Sequence, residues 1–216
     1  MSTTKKKVNV LFLVQFALLL ALEAIFCFTP LGSIPIGPLV ATLAMLPVIV
    51  TGILLGPLAG SAMGAAAGLF SFLVWTFMAP NPITAFVFTP AYPPGNFWSL
   101  VICFLPRILT GTVAGLSFRL LSHLTNRFRF KNGLVYGLSG VLGSMTNTLL
   151  VMLGIYLFFG KEYAASLGMS FQLLLGVIGT TIATNGVLEA AVSALVSYGV
   201  CFPLNKIMRR IPTNNA

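Results

Sequence analysis

The sequence predicts an all-α integral membrane protein: one bundle of six transmembrane helices, with both termini in the cytoplasm. Three observations predict it. The chain has 216 residues, of which 57% are hydrophobic and 7% charged, and its mean hydropathy is +1.00. Those values describe a multi-span membrane chain, not a soluble domain. Apolar blocks of about 20 residues or more recur along it, each long enough to cross a bilayer. Finally, ten of the twelve Lys and Arg residues fall on the terminal side of a six-span arrangement; only Arg107 and Lys161 do not. Positive charge is retained on the cytoplasmic side, so both termini are expected there.

The elements follow in order. Residues 1–7 are a polar head with Lys5, Lys6 and Lys7. The first span, 8–28, is longer than a signal-peptide apolar region and ends in no A-x-A site, so an uncleaved helix is expected. Residues 29–37 are rich in Pro and Gly and read as an outer loop. Span two is expected at 38–55, with Pro47 as a kink. In 42–70, glycine recurs every fourth residue at Gly52, Gly56, Gly60, Gly64 and Gly68. Positions four apart share a helix face, and small residues there let two backbones approach closely in lipid. Pro57 breaks the run, so helices two and three are expected to meet at a tight Gly56-Pro57 turn.

Span three is expected at 58–78. Residues 79–96 hold five prolines and several aromatics, which suggests an ordered lid or a loop tucked into the bundle. Span four is expected at 97–121, a basic loop at 122–132, and span five at 133–159. The last apolar block, 169–204, is longer than one span needs. Its first third is expected to lie in the interface or cap the bundle, leaving span six at 180–204. Residues 1–216 thus read as a single transmembrane domain.

Three charges fall within spans: Glu23, Arg107 and Glu189. Charge at membrane depth is costly and marks function by default. The last span also carries Thr181, Asn185, Glu189, Ser193 and Ser197 at four-residue spacing on one face. Thr146 and Asn147 lie at comparable depth in span five. Arg107, Asn147, Asn185 and Glu189 are therefore the expected binding residues of an outward-opening polar pocket. A guanidinium takes a carboxylate bidentately, and amides and a carboxylate hold hydroxyls or amides. The competing reading is interhelical hydrogen bonding, with Arg107 and Glu189 paired to each other. It applies best to Ser193 and Ser197. Glu23 reads equally well as an interfacial residue without a role. In span one, Ala17 and Ala21 form a small-residue pair one turn apart, suited either to a docking helix or to packing within the bundle.

Other chemistry is poorly served. The net charge of +9 is clustered beside apolar segments, which argues against nucleic acid. Cys27, Cys103 and Cys201 sit in apolar segments with no CxxC, so neither a disulfide framework nor a metal site is expected. Gly137-Leu138-Ser139-Gly140 matches an intramembrane serine-protease pattern. The one histidine, His123, lies in the basic loop, far from that serine. There is no P-loop, no HExxH and no Asp. Neither an enzyme nor a cofactor is expected. Asn81-Pro82-Ile83 is like the NPA turn of water channels but stands alone.

Taken together, these features resemble the substrate-binding S components of energy-coupling factor (ECF) transporters. The residues that carry the resemblance are Ala17-x-x-x-Ala21; Leu46-Pro47-Val48-Ile49 leading into Leu55-Gly56-Pro57-Leu58-Ala59-Gly60; Pro106-Arg107-Ile108-Leu109 with Gly111 and Gly115; and Asn185 to Glu189. It spans about residues 8–208. It implies a six-helix subunit of the bacterial cytoplasmic membrane that binds a small water-soluble vitamin near the outer face. It also implies partners: a transmembrane coupling protein and two cytoplasmic ATPases. By that correspondence Ala17 and Ala21 meet the coupling protein, and 29–37 and 79–96 gate the pocket. Gly37-Pro38, Leu46 to Ile49 and the run NFWSLVICFLPRIL are most similar to pantothenate-type members. Pantothenate offers one carboxylate, two hydroxyls and an amide to Arg, Asn and Glu. Riboflavin or another vitamin, with Trp75, Tyr92, Phe97 or Trp98 stacking on it, stays open. So do a membrane scaffold without ligand and a lipid-acting enzyme.

Overall fold

Gly56 and Pro57 divide the uncharged stretch as the sequence requires. Helix α2 (Leu46–Leu55) ends at Gly56, whose φ of 100° suits a residue without a side chain, and α3 (Pro57–Phe77) starts on Pro57. The computed structural model describes residues 10–36, 39–125 and 132–208. Lys5, Lys6, Lys7, Arg127, Arg129, Lys131, Arg209 and Arg210 lie outside these residues, as do Gly37 and Pro38.

Around that turn stand α1 (Val10–Phe28), α4 (Phe97–Thr125) and α5 (Asn132–Ser166). A final helical rod follows, made of α6 (Phe171–Thr181), α7 (Val187–Val196) and α8 (Phe202–Met208). Among the described residues, five helices are long and apolar enough to cross a membrane: Val10–Phe28, Pro57–Phe77, Phe97–Thr125, Gly133–Ser166 and Phe171–Ile207. A sixth apolar helix, Leu43–Leu55, is shorter.

Helix two does not begin where the sequence suggested. Ser33–Ile36 (β1) and Leu39–Thr42 (β2) pair antiparallel, Ser33 opposite Thr42 and Ile36 opposite Leu39. The hairpin residues are as apolar as a membrane helix, so hydropathy alone cannot separate the two. Pro47 therefore stands in the first turn of α2 and makes no kink. There its missing N–H is of no consequence.

The glycine face also meets a different neighbour than expected. Gly64 and Gly68 pack against α4, not α2. A Cβ on Gly64 would collide with the backbone of Arg107 and Ile108, and one on Gly68 would lie 2.8 Å from the Phe104 ring. At Gly60 three helices converge, because the Gly111 carbonyl and the Gly52 Cα both crowd the place a Cβ would take. Helix α4 answers with its own glycines: a Cβ on Gly115 would lie 2.7 Å from the Gly52 carbonyl oxygen. Close backbone approach of this kind is how helices gain packing energy where burial from water offers none.

The core lies where α2, α3, α4, α5 and the terminal rod meet, with Val48, Ile49, Met63, Ala67, Ala114, Tyr136 and Cys201 buried together. Helix α5 runs past the expected end at 159. Its backbone departs from helical values at buried Phe159 (φ −134°, ψ 17°) and continues to Ser166. The terminal rod is likewise longer than expected. Residues 171–179 are not set apart from the last span; the helix is continuous through π-helical segments at Ile182–Gly186 and Ser197–Cys201. Leu174 and Ile178 of its first part are buried with Ala164.

Candidate ligand-binding site

The site is built on Pro106 and Arg107. Proline has no N–H, so the carbonyl of Ile102, one turn back, has no donor within the helix. The Arg107 guanidinium curls back over this gap. One terminal nitrogen donates to the Cys103 carbonyl at 2.6 Å and reaches the Ile102 carbonyl at 3.5 Å; the other donates to Ser71 Oγ of α3 at 2.8 Å. Ser71 continues the α4-facing stripe of Gly64 and Gly68, so the glycine seam brings it to Arg107. The guanidinium carbon lies 5.6 Å from the centre of the Phe88 ring, a cation–π distance. Arg107 is 8% exposed, and its Nε has no hydrogen-bond partner among the described residues.

Glu23 enters this neighbourhood from α1. It is fully buried, and it is the one buried side chain of that helix. Cys27 Sγ, one turn later, donates to Glu23 Oε1 at 3.3 Å. Phe28 of the same helix packs on Phe70 of α3, ring centres 5.6 Å apart, next to the Ser71 that holds Arg107, which brings α1 into this neighbourhood. The other carboxylate oxygen, Oε2, has no hydrogen-bond partner among the described residues.

Phe88 belongs to a lid. The segment between α3 and α4 is ordered and folded inward, with Ala85, Phe86, Val87 and Thr89 buried. A 3-10 helix at Pro82–Val87 is capped by Asn81, whose side chain accepts from the Ile83 N–H at 3.1 Å. That bond accounts for the Asn-Pro-Ile sequence without channel chemistry. The lid is tied down on both sides: Ser99 Oγ donates to the Phe86 carbonyl (2.6 Å), Thr76 and Thr89 hydroxyls bond each other (2.8 Å), and Tyr92 donates to the Thr76 carbonyl (3.2 Å). Trp75 packs on Phe88 with ring centres 4.7 Å apart, and Phe86 meets Phe159 edge-on.

The other expected residues come from α5 and the terminal rod. Thr148 Oγ1 donates to Glu189 Oε2 at 3.1 Å. Asn147 is half-buried, and its Oδ1 is buried without a hydrogen-bond partner among the described residues. Asn185 is half-buried within the π-helical segment Ile182–Gly186. Such segments are rare and shift the faces of the residues that follow.

Glycine contacts set the relative levels. A Cβ on Gly154 would meet Ile102, and one on Gly143 would meet Ala114 and the Thr110 carbonyl. Between those two levels, antiparallel α4 and α5 bring Arg107 and Asn147 to the same depth. A Cβ on Gly186 would meet Thr148 Cγ2 at 3.2 Å, which carries the terminal rod to that level as well.

Arg107 is thus in direct contact with Ser71 and Phe88 and beside Glu23, while Glu189 bonds Thr148. Sequence reasoning missed Ser71, Phe88 and Thr148. Ser193 and Ser197 pack against α5, where a Cβ on Gly140 would lie 2.5 Å from both the Ser193 carbonyl and Ser197 Oγ. Ser139, the residue of the protease-like pattern, donates to the Val135 carbonyl of its own helix at 2.8 Å. Ala17 and Ala21 are both exposed, in the company of exposed Val14, Leu18, Leu22 and Ile25.

Residues 11–201 match the family model for the substrate-specific component of ECF transporters. The chain is 34% identical over 174 residues to the pantothenic acid transporter PanT of Lactococcus lactis subsp. cremoris (strain MG1363), covering 78% of this chain and 80% of that protein. A multi-pass membrane bundle with a buried arginine beneath a lid, matched over nearly its whole length, belongs to the family of ECF transporter substrate-specific components, the binding subunits of transporters and not enzymes.

Proposed function

We propose that this subunit binds pantothenate and delivers it across the bacterial cytoplasmic membrane together with an ECF module of one transmembrane coupling protein and two ATPases. The observation that carries the reading is Arg107, a cation buried at membrane depth beneath an apolar lid and fixed by its own helix and Ser71. A buried charge without a counter-charge in direct contact is costly unless something compensates it. An anionic ligand does so, and a carboxylate fits a guanidinium. Asn147 and Asn185, at the same level, suit hydroxyls and an amide, and Glu189 with Thr148 completes the polar wall. The relative's pantothenate specificity supports the choice of vitamin. So do the aromatic rings that a flavin would need: Trp98 stacks on Phe158 at 4.0 Å and Trp75 lies on Phe88.

In this reading the chain crosses the membrane six times. The short apolar helix Leu43–Leu55 makes the second crossing, and the positive-inside distribution puts both termini in the cytoplasm. The exposed strip of Ala17 and Ala21 on α1 docks the coupling protein. The 79–96 segment is the gate over Arg107, and 29–37 gates beside it.

The test is uptake of labelled pantothenate in cells that lack their own pantothenate transporter. Cells carrying this chain with an ECF module should accumulate the label, and unlabelled pantothenate should compete while riboflavin does not. Accumulation equal to that of cells with the module alone would overturn the proposal.

A further inference from the structure

Four buried side-chain polar atoms have no hydrogen-bond partner among the described residues, Glu23 Oε2, Arg107 Nε, Asn147 Oδ1 and Ser197 Oγ, and the first two are complementary charges. Arg107 Nε is a donor, and Glu23 Oε2 is an acceptor. They come from different helices, α4 and α1, which meet on α3: Phe28 packs on Phe70 (ring centres 5.6 Å apart), next to the Ser71 that accepts from Arg107. Buried polar groups are nearly always satisfied, so two orphans in one neighbourhood require an explanation. Simple pairing would satisfy both, and the structure does not show it. The rest of each group is engaged: Glu23 Oε1 accepts from Cys27, and the Arg107 terminal nitrogens are held by Cys103, Ile102 and Ser71. Each side chain is therefore fixed by one end and open at the other.

A carboxylate buried at membrane depth is also hard to justify as packing. The rest of α1 is partly or wholly exposed and mostly apolar. Replacing Glu23 by an apolar residue would remove a cost if the side chain only filled space.

We propose that Glu23 is a ligand-binding residue of the Arg107 site, its open Oε2 accepting a hydrogen bond from a hydroxyl or amide N–H of the anion held by Arg107. The inference rests on the vitamin-binding reading above and adds α1 to the helices that contact the ligand. Specificity follows from the pairing. A ligand must offer an acceptor charge and, beside it, a donor. A simple carboxylate of similar size satisfies Arg107 and leaves Glu23 facing a second negative group with nothing to accept.

Calorimetric titration of the purified full chain in detergent tests this, with pantothenate as the probe. Two analogues follow, one lacking the pantoyl hydroxyls and one with the amide nitrogen methylated. Glu23→Gln should weaken pantothenate binding about tenfold or more. Wild type should lose affinity for one of the two analogues, which tells whether a hydroxyl or the amide is read, and Glu23→Gln should bind that analogue and pantothenate about equally. Glu23→Gln binding pantothenate as wild type does would overturn the assignment. So would a loss equal for pantothenate and both analogues, since that is the signature of a packing role. If Glu23→Gln does not purify as a folded protein, the analogue series on wild type decides alone, because indifference to both analogues excludes a donor-reading group. Wild type that binds no pantothenate overturns the vitamin reading and this inference with it; a failure of the Glu23 arm alone leaves the vitamin reading standing.

Discussion

Arg107 is held in place before any ligand arrives. Its helix supplies a carbonyl that Pro106 leaves open, and Ser71 fixes the opposite nitrogen. Preorganised charge of this kind binds tightly, because little side-chain freedom is lost on association. Arg107→Lys keeps the charge but removes the planar fork. It should weaken pantothenate binding by about 1.5–3 kcal/mol, roughly 10- to 150-fold, with the protein still monodisperse in detergent. Asn147→Ala should cost less, about 1 kcal/mol, as one neutral hydrogen bond to the ligand does; the same titration reads both. Arg107 as a charge at membrane depth was legible in the sequence, since a charge in an apolar span stands out. Its partners were not. Ser71, Phe88 and Glu23 lie on separate segments, and only packing of α3 and the lid onto α4, and of α1 onto α3, joins them. The expected pairing of polar residues from α5 and the last span was read from depth alone. Depth does not say that Glu189 would find Thr148.

At the scale of elements, the glycine stripe decides the packing. Gly64→Leu should prevent α3 and α4 from closing, because the obstacle is the α4 backbone at Arg107 and Ile108. A loss beyond about 3 kcal/mol is expected, seen as aggregation on size-exclusion chromatography. Gly68→Ala meets mainly the Phe104 ring, with the Phe104 Cα at 3.3 Å, and should cost less, about 1–2 kcal/mol. The contrast between the two variants checks that the seam lies against α4. The stripe itself was plain in the sequence, since a four-residue repeat of glycine has one meaning on a helix. Its partner was not, because neighbouring α2 and α4 both present glycines. Helix two was misjudged for a different reason: an apolar hairpin and an apolar helix look alike in hydropathy, and Pro47 fits a first turn as well as a kink. On α1 the two faces differ in exposure. Ala17 and Ala21 are exposed, and Glu23 points the other way into the bundle. Ala17→Trp or Ala21→Trp should leave pantothenate affinity within about twofold of wild type. Either should abolish co-purification with the coupling protein.

The whole molecule is a bundle whose surface is largely apolar and whose Glu23 and Arg107 charges are turned inward. Leu58, Leu105, Leu157 and Leu195 are among the exposed apolar residues, while Glu23 and Arg107 are buried. A subunit with that surface can reorient in lipid without dragging charge through hydrocarbon. Topology follows from the basic clusters, so a fluorescent protein fused to the C-terminus should fluoresce in the bacterial cytoplasm. A periplasmic reporter enzyme at the same position should stay inactive. The helical membrane class of the molecule was legible because hydropathy is summed over many residues. The lid was legible as an ordered segment, but its contact with Arg107 depends on where Phe88 lands.

The central claim is that Arg107 anchors a bound pantothenate. Isothermal titration of purified wild type and Arg107→Ala with pantothenate tests it most directly. The account predicts saturable binding by wild type and a loss of about 2–3 kcal/mol, roughly 30- to 150-fold, in the variant. Equal affinity in the two proteins, or no binding by wild type, would contradict it.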